Sequence, residues 1–225
     1  MTVWIRLEIS ILYVFIVWIR IYSIHRMYYF FISIGCVSDP ADIVFLLDSS
    51  GSIGSGHFKK ELEFIAEFAK HYAIGPNNVQ IGIVTFSANV RNEFNMNTYK
   101  NINDLERGVM HIRYEGQSTH TGKGLRYVRM NSFKSSSGDR NNVSNFLIVI
   151  TDGHSNVPIH TSTEASVLHS TTNIETFAIG IGRNISRTEL NEIASSANHV
   201  LLVSDHLNLH LPLQEIRCGT YIYHK

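Results

Sequence analysis

Three short segments of this chain carry oxygen-bearing side chains at spacings that suit a hard metal ion. The first is Asp48-Ser49-Ser50-Gly51-Ser52-Ile53-Gly54, which puts a carboxylate and several hydroxyls into a tight glycine-containing loop directly after the apolar run Ile43–Leu47. The second centres on Thr119, in Gly116-Gln117-Ser118-Thr119-His120-Thr121-Gly122, and the third on Asp152, in Thr151-Asp152-Gly153 after the run Phe146–Ile150. Ligation by carboxylate, hydroxyl and water oxygens selects Mg2+, Mn2+ or Ca2+ over zinc or copper. Taken singly, each segment also reads as ordinary turn chemistry, with Asp48 as a helix cap and Ser50 and Ser52 bonding the local backbone.

Other chemistries find less support. The 12 histidines are scattered without an HExxH or a Cys/His cluster, so they build no metal site by spacing alone. His206 and His210 stand four residues apart without a third ligand nearby and read as surface side chains. The chain has 2 cysteines, Cys36 and Cys218, which excludes a CxxC redox or zinc motif and a dense disulfide scaffold. An Asp48 nucleophile working with Mg2+ is the one enzyme reading left open. The rest of such machinery is missing: there is no GxxxxGK[ST] loop and no GxSxG elbow, and Gly180-Ile181-Gly182 is too short for a dinucleotide fingerprint.

The elements that must bring the three segments together are legible from periodicity. Short apolar runs at Ile43–Leu47, Val79–Phe86, Phe146–Ile150, Ile174–Ile181 and Val200–Val203 alternate with helix-period stretches, the pattern of a parallel sheet covered on both faces. Phe58, Leu62, Ile65, Ala66, Ala69 and Tyr72 recur at three- and four-residue steps and predict a helix from Phe58 to Ala73, stopped by Gly75-Pro76. Val90–Phe94 follows its neighbour too closely for a helical crossover and predicts an antiparallel edge hairpin. Further helices are expected at Ile102–Ile112, Gly122–Phe133, Glu164–Ser170, Arg187–Ser195 and in the stretch to Ile216, where Pro212 opposes a helix interior. The polar segment Ser135–Asn142 reads as an exposed loop. The expected fold is therefore α/β, a doubly wound, Rossmann-like, mostly parallel sheet with one antiparallel edge strand and helices on both faces. In such a sheet, ligands sit at the carboxyl ends of the strands.

At this point the chain resembles the von Willebrand factor A domain family. The Asp-x-Ser-x-Ser loop at Asp48, the Thr-x-Thr-Gly turn at Thr119 and the Thr-Asp-Gly turn at Thr151 occur in order, and the resemblance covers nearly all of residues 36–218. It implies a metal-ion-dependent adhesion site in which Asp48, Ser50, Ser52, Thr119 and Asp152 hold a divalent cation, Mg2+ first and Mn2+ or Ca2+ next, the serines directly and some of the others through water. Because the hydroxyl ligands are neutral, the ion stays electrophilic and takes a carboxylate from a partner, so the implied function is adhesion to a protein such as collagen or another extracellular-matrix component. His120 and His154 flank Thr119 and Asp152 and are expected at the rim. Cys36 and Cys218 are similar in position to the terminal cysteine pair of extracellular members such as matrilins and collagen VI domains, which implies a disulfide; two unpaired buried thiols are the alternative. Asn156 departs from the aspartate with which many members continue the Thr-Asp-Gly turn.

Composition agrees with a packed domain. The 225 residues are 44% hydrophobic and 17% charged, with 19 Lys+Arg against 19 Asp+Glu, so a core is affordable and no basic field collects nucleic acid. Residues 1–35 differ from the rest, with Ile9–Ile19 and Met27–Ile34 almost wholly apolar. A span over Ile9–Ile34 would bury Arg20, at roughly 2.5–3.5 kcal/mol near the bilayer centre. As a signal peptide, Met27–Ile34 is the apolar region and Ser33-Ile34-Gly35 the cleavage site before Cys36; an uncleaved membrane anchor and a leader foreign to the domain stay open. Sequons at Asn142 and Asn184 fit the secreted reading. The expected organisation is a leader over 1–35, one domain over 36–218 and a tail over 219–225. An intracellular domain serving as an assembly subunit is the alternative, against which the leader and cysteines argue.

Overall fold

The computed structural model describes residues 40–151, 154–181 and 185–203. The leader, Cys36, Asp152, Asn184, His206, His210, Pro212 and Cys218 lie outside the described residues, and with them the expected disulfide and the last helix.

Six strands, β1 (Ala41–Asp48), β2 (Val79–Phe86), β3 (Val90–Phe94), β4 (Ser144–Thr151), β5 (Glu175–Ile181) and β6 (Val200–Val203), form one sheet in the order β3-β2-β1-β4-β5-β6. All pairings are parallel except β2 with β3, which is antiparallel with a register shift at Ile83/Val84. Among the described residues five α-helices cover the sheet: α1 (Ser55–Ala69), α2 (Ile102–Met110), α3 (Thr121–Tyr127), α4 (Pro158–Thr171) and α5 (Arg187–Ile193). The period of two in a strand divides the core. Ile43, Phe45 and Leu47 of β1 pack with Phe58, Leu62, Ile65 and Phe68 of α1 and Leu105 and Val109 of α2. Val44 and Leu46, pointing the other way, pack with Leu125 of α3, Leu168 of α4 and Leu190 of α5.

The strand order places the site. The chain winds outward from β1 through β2 to β3, then crosses back to β4 on the other side of β1, so β1 and β4 are neighbours whose connections leave in opposite directions. Their carboxyl ends stand side by side, with Leu47 opposite Ile150, Asp48 ending β1 and Thr151 ending β4. A crevice at this switch point is where a doubly wound sheet binds its ligand.

Every expected strand is present, but the helix boundaries differ: α2 and α5 each end two residues short of the expected Ile112 and Ser195, α1 starts at Ser55, and three differences are larger. α1 ends at Ala69 instead of reaching Ala73, because its last turn tightens: His71 and Tyr72 donate to carbonyls three residues back, 3.1 Å each. Tyr72 still packs on the core, with its ring centroid 5.0 Å from that of Phe68. α3 stops at Tyr127 and passes into a π-turn over Val128–Ser132 instead of continuing to Phe133. α4 begins at Pro158, six residues before Glu164. Its first turns, rich in Thr, Ser and His, have no apolar stripe to detect, whereas proline at the first helical position was the available signal. Asn142 sits in an exposed turn at φ 64° before β4.

Candidate functional site

The loop from Asp48 to Gly54 is shaped by what surrounds it. Asp48 is wholly buried at the end of β1. Its Oδ1 accepts from the Ser50 backbone N–H at 2.9 Å, and its Oδ2 accepts from the Thr151 hydroxyl at 2.8 Å. The carboxylate is thus held in one orientation by the loop it starts and by the neighbouring strand. The Ser50 and Ser52 hydroxyl oxygens lie 3.2 Å apart. Adjacent oxygens around a six-coordinate ion with metal–oxygen distances of Mg2+ or short Ca2+ type stand about 3.0–3.3 Å apart, so the pair has the spacing of neighbouring ligands. Gly54 takes φ 73° to turn the chain into α1, a conformation that favours glycine.

The segment that follows Met110 locks this loop from the side. Gly51 donates to the Gln117 carbonyl at 2.7 Å, and Gly116 donates to the Ser49 carbonyl at 2.8 Å. A Cβ on Gly51 would stand 3.3 Å from the Gly116 carbonyl oxygen, so the two backbones approach as closely as only a residue without a side chain allows comfortably. Tyr114 donates its hydroxyl to the Ser50 carbonyl at 2.8 Å and accepts from Gly54 N–H at 3.2 Å. Ser49 N–H donates to the Phe86 carbonyl at 2.7 Å, tying the loop to the end of β2. The Ser87 hydroxyl donates to Glu115, whose other oxygen pairs with Arg91 at 3.2 Å.

Thr119 is brought to the same edge and is largely buried. Asn156 grips its backbone at two points: Thr119 N–H donates to Asn156 Oδ1 at 2.6 Å, and Asn156 N–H donates to the Thr119 carbonyl at 2.8 Å. A carboxylate in place of the Asn156 amide would accept equally well, so the substitution leaves this contact intact. Ser155 adds a longer contact from its hydroxyl to the Thr119 carbonyl, 3.5 Å. His120 is half-buried at the start of α3, and His154 is exposed. Burial first, then Lys123 and His160, hold the His120 imidazole below the ordinary histidine value.

Sequence reasoning missed Tyr114, Ser155 and Glu189. Glu189, from α5, is buried and reaches the loop after β4, where both of its oxygens accept from Ser155 N–H at 3.2 and 3.0 Å. Burial, the largest influence, raises its carboxyl above the ordinary glutamate value, against the Ser155 N–H, His154 and Thr121, which lower it. A carboxyl raised on folding binds its proton more tightly in the folded state, so its contribution to stability is present below the unfolded value and lost as pH rises through the folded one. Glu189→Gln keeps an acceptor for Ser155 without the charge. The variant is expected to melt a few degrees above wild type at pH 7.5, with the difference closing as the pH is taken below the ordinary glutamate value. A melting-temperature difference that stays constant over pH 4–8 would contradict this account of the carboxyl.

Among the described residues no group of three His, Cys, Asp or Glu side chains stands ready for a metal. What the edge offers is one oriented carboxylate, Asp48, and the hydroxyl residues Ser50, Ser52 and Thr119, a donor set for a hard cation.

Comparison with known proteins agrees with this fold. The family model described as the von Willebrand factor type A domain matches residues 42–215. The mouse (Mus musculus) collagen alpha-4(VI) chain is 38% identical over 165 residues, covering 73% of this chain and 7% of that one. Mouse matrilin-2 is 31% identical over 175 residues, covering 76% of this chain and 18% of the other. Among solved structures, proximal thread matrix protein 1 from the mussel byssus, with a zinc-occupied MIDAS motif, superposes with a TM-score of 0.73 at 31% identity, over 80% of this chain and 48% of that one. This chain therefore spans less than a fifth of the length of each of the two mouse proteins.

Proposed function

The chain belongs to the von Willebrand factor type A domain family, and from that premise we propose that it is an extracellular protein-binding module that captures a partner's carboxylate through a divalent cation. The observation that carries this reading is the meeting, at the switch point of the sheet, of the buried Asp48 carboxylate with the Ser50 and Ser52 hydroxyls 3.2 Å apart. In the proposal Ser50, Ser52 and Thr119 face the cation, and Asp48 and Asp152 supply charge, Asp152 by its place in the Thr-Asp-Gly turn. Mg2+ is the proposed ion, with Mn2+ and Ca2+ as substitutes; bound there, it supplies an electrophilic centre open to one further oxygen. The residues of the chain do the selecting. Ser50, Ser52 and Thr119 bring no charge, so they leave the ion's attraction for an incoming acid uncancelled, while Asp48 and Asp152 repel that acid when the ion is gone. The same arrangement binds without bond-making, which makes the module a ligand trap instead of an enzyme.

Relatives among collagen chains and a matrilin, and the mussel matrix protein, support a matrix partner. On the same reading the domain occupies residues 36–218, Cys36 pairs with Cys218, Asn142 and Asn184 carry glycans, and residues 1–35 deliver or tether the module outside the cell. Binding of the full chain to a panel of immobilised collagens and other matrix proteins is expected to vanish in EDTA and to return with excess Mg2+ or Mn2+. Binding undiminished in EDTA would place the interface elsewhere on the domain.

A further inference from the structure

The two serines of the candidate site are supported in different ways. Ser50 is wholly buried and pairs with Gln117 in a parallel bridge, next to the Gly51 N–H that donates to the Gln117 carbonyl at 2.7 Å. Ser52 is exposed, in the span that crosses from Ser50 to Gly54 and the start of α1. Its hydroxyl oxygen nevertheless stands 3.2 Å from that of Ser50, the spacing on which a shared ion depends. The place of Ser52 therefore follows from what fixes the two ends of its span.

Both ends meet one side chain. The Tyr114 hydroxyl donates to the Ser50 carbonyl at 2.8 Å and accepts from Gly54 N–H at 3.2 Å. A phenol has one proton to give and lone pairs to accept with, so the two bonds do not compete. Ile53 anchors the span through its side chain, buried in the core, while the backbone on either side of it is held by Tyr114. The tyrosine ring is itself fixed: its centroid lies 5.7 Å from that of Phe58 in α1, and a Cβ on Gly116 would stand 2.9 Å from a ring carbon. Glu115 N–H donates to the Ser49 hydroxyl and Gly116 N–H to the Ser49 carbonyl, each at 2.8 Å. Tyr114 thus reaches across the loop from a segment that is bonded to the same loop.

We propose that Tyr114 is a positioning residue of the cation site: its hydroxyl closes the span from Ser50 to Gly54, keeps Ser52 beside Ser50, and so sets how sharply the site tells Mg2+ from Ca2+. The inference rests on the divalent-cation reading of the loop and deepens it. Mg2+ demands near-ideal octahedral geometry at short distances, whereas Ca2+ accepts irregular shells of six to eight oxygens. A span free to drift therefore costs Mg2+ more than Ca2+.

The test compares the full chain with Tyr114→Phe, which keeps the ring against Phe58 and Gly116 and removes only the hydroxyl, and with Val128→Ala, a truncation buried in the half of the core on the other face of the sheet. In titration calorimetry, Tyr114→Phe is expected to bind Mg2+ about tenfold more weakly, the low end for losing a partner that orients a metal's ligands, with Ca2+ affinity changed little. In the metal-free chain, amide hydrogen exchange at Gly54 should be about fivefold faster in Tyr114→Phe, the equivalent of one lost hydrogen bond. Val128→Ala should melt lower and alter neither the ratio of the two affinities nor that exchange. Unchanged Mg2+ affinity in Tyr114→Phe, equal weakening of both ions, or the same shift in Val128→Ala overturns the positioning role, as does unchanged exchange at Gly54. A wild-type chain that binds neither ion overturns the cation reading itself and leaves Tyr114 a contact of the fold alone.

Discussion

Asp48→Asn is expected to lower Mg2+ and Mn2+ affinity by at least about 100-fold, the upper range for losing a group that organises a metal site, and to remove cation-dependent partner binding with it. The asparagine keeps an oxygen at Oδ1 for the Ser50 N–H, now 2.9 Å away, so the loop retains its main internal bond. What disappears is the charge at the base of the crevice. Asp48→Ala should lose the same binding and cost more stability, because it leaves the Ser50 N–H and the Thr151 hydroxyl without the acceptor that now faces them, at about 1–3 kcal/mol for each group left buried and unmet. Titration calorimetry with the two ions, beside a thermal melt of each variant, separates the two effects. Unchanged Mg2+ affinity in folded Asp48→Asn would remove Asp48 from the proposed site.

The second large effect is expected at the other end of the same strand. Asp42, two residues into β1, is wholly buried, and Arg140 closes on it from 98 positions away: Nε to Oδ1 at 2.9 Å, Nη2 to Oδ1 at 2.7 Å, and the Arg140 backbone N–H to Oδ2 at 2.8 Å. The guanidinium also donates to the carbonyls of Ala41, Pro76 and Asn78 at 3.0, 2.8 and 2.7 Å. Gln80 of β2 donates to Asp42 Oδ1 at 3.1 Å and to the Gly138 carbonyl at 2.9 Å. One side chain thus ties together the approaches to β1, β2 and β4. Arg140→Ala leaves the buried carboxylate facing only Gln80 and one backbone N–H, which should cost about 3–5 kcal/mol, the penalty for breaking a buried pair from one side. For a domain of this size that is a fall of roughly 10 °C in melting temperature. Asp42→Asn added to Arg140→Ala should recover part of the loss, since the stranded charge goes too. Urea unfolding measures both. A loss under about 1 kcal/mol, as for an exposed ion pair, would show that the carboxylate is relieved in some other way. Cation affinity should not change, because the pair stands at the amino end of β1 and the site at its carboxyl end.

The two ends of β1 show where sequence reasoning reaches and where it stops. Strands buried on both faces must be continuous apolar runs, and the runs at Ile43–Leu47 and Phe146–Ile150 therefore mark β1 and β4 and the segments that leave them. The candidate loop was legible for the same local reason: Asp, Ser and Gly within seven residues after a strand are chemistry and turn geometry at once. Partnership across the chain was not legible, because it depends on strand order, which no local period encodes. Only the order β3-β2-β1-β4-β5-β6 sets Thr151 against Asp48, delivers Arg140 to Asp42, and brings α5 close enough for Glu189 to hold Ser155. The helices drew their signal from the apolar stripe alone, so α1, which has one, was found, while the start of α4, which turns Val157 and Ile159 to solvent, was not. Residue type and spacing thus determined which groups are able to bind a hard cation. Tertiary structure decided which backbone and side-chain partners hold them still, since a buried polar group takes the partner that folding places within about 3 Å of it.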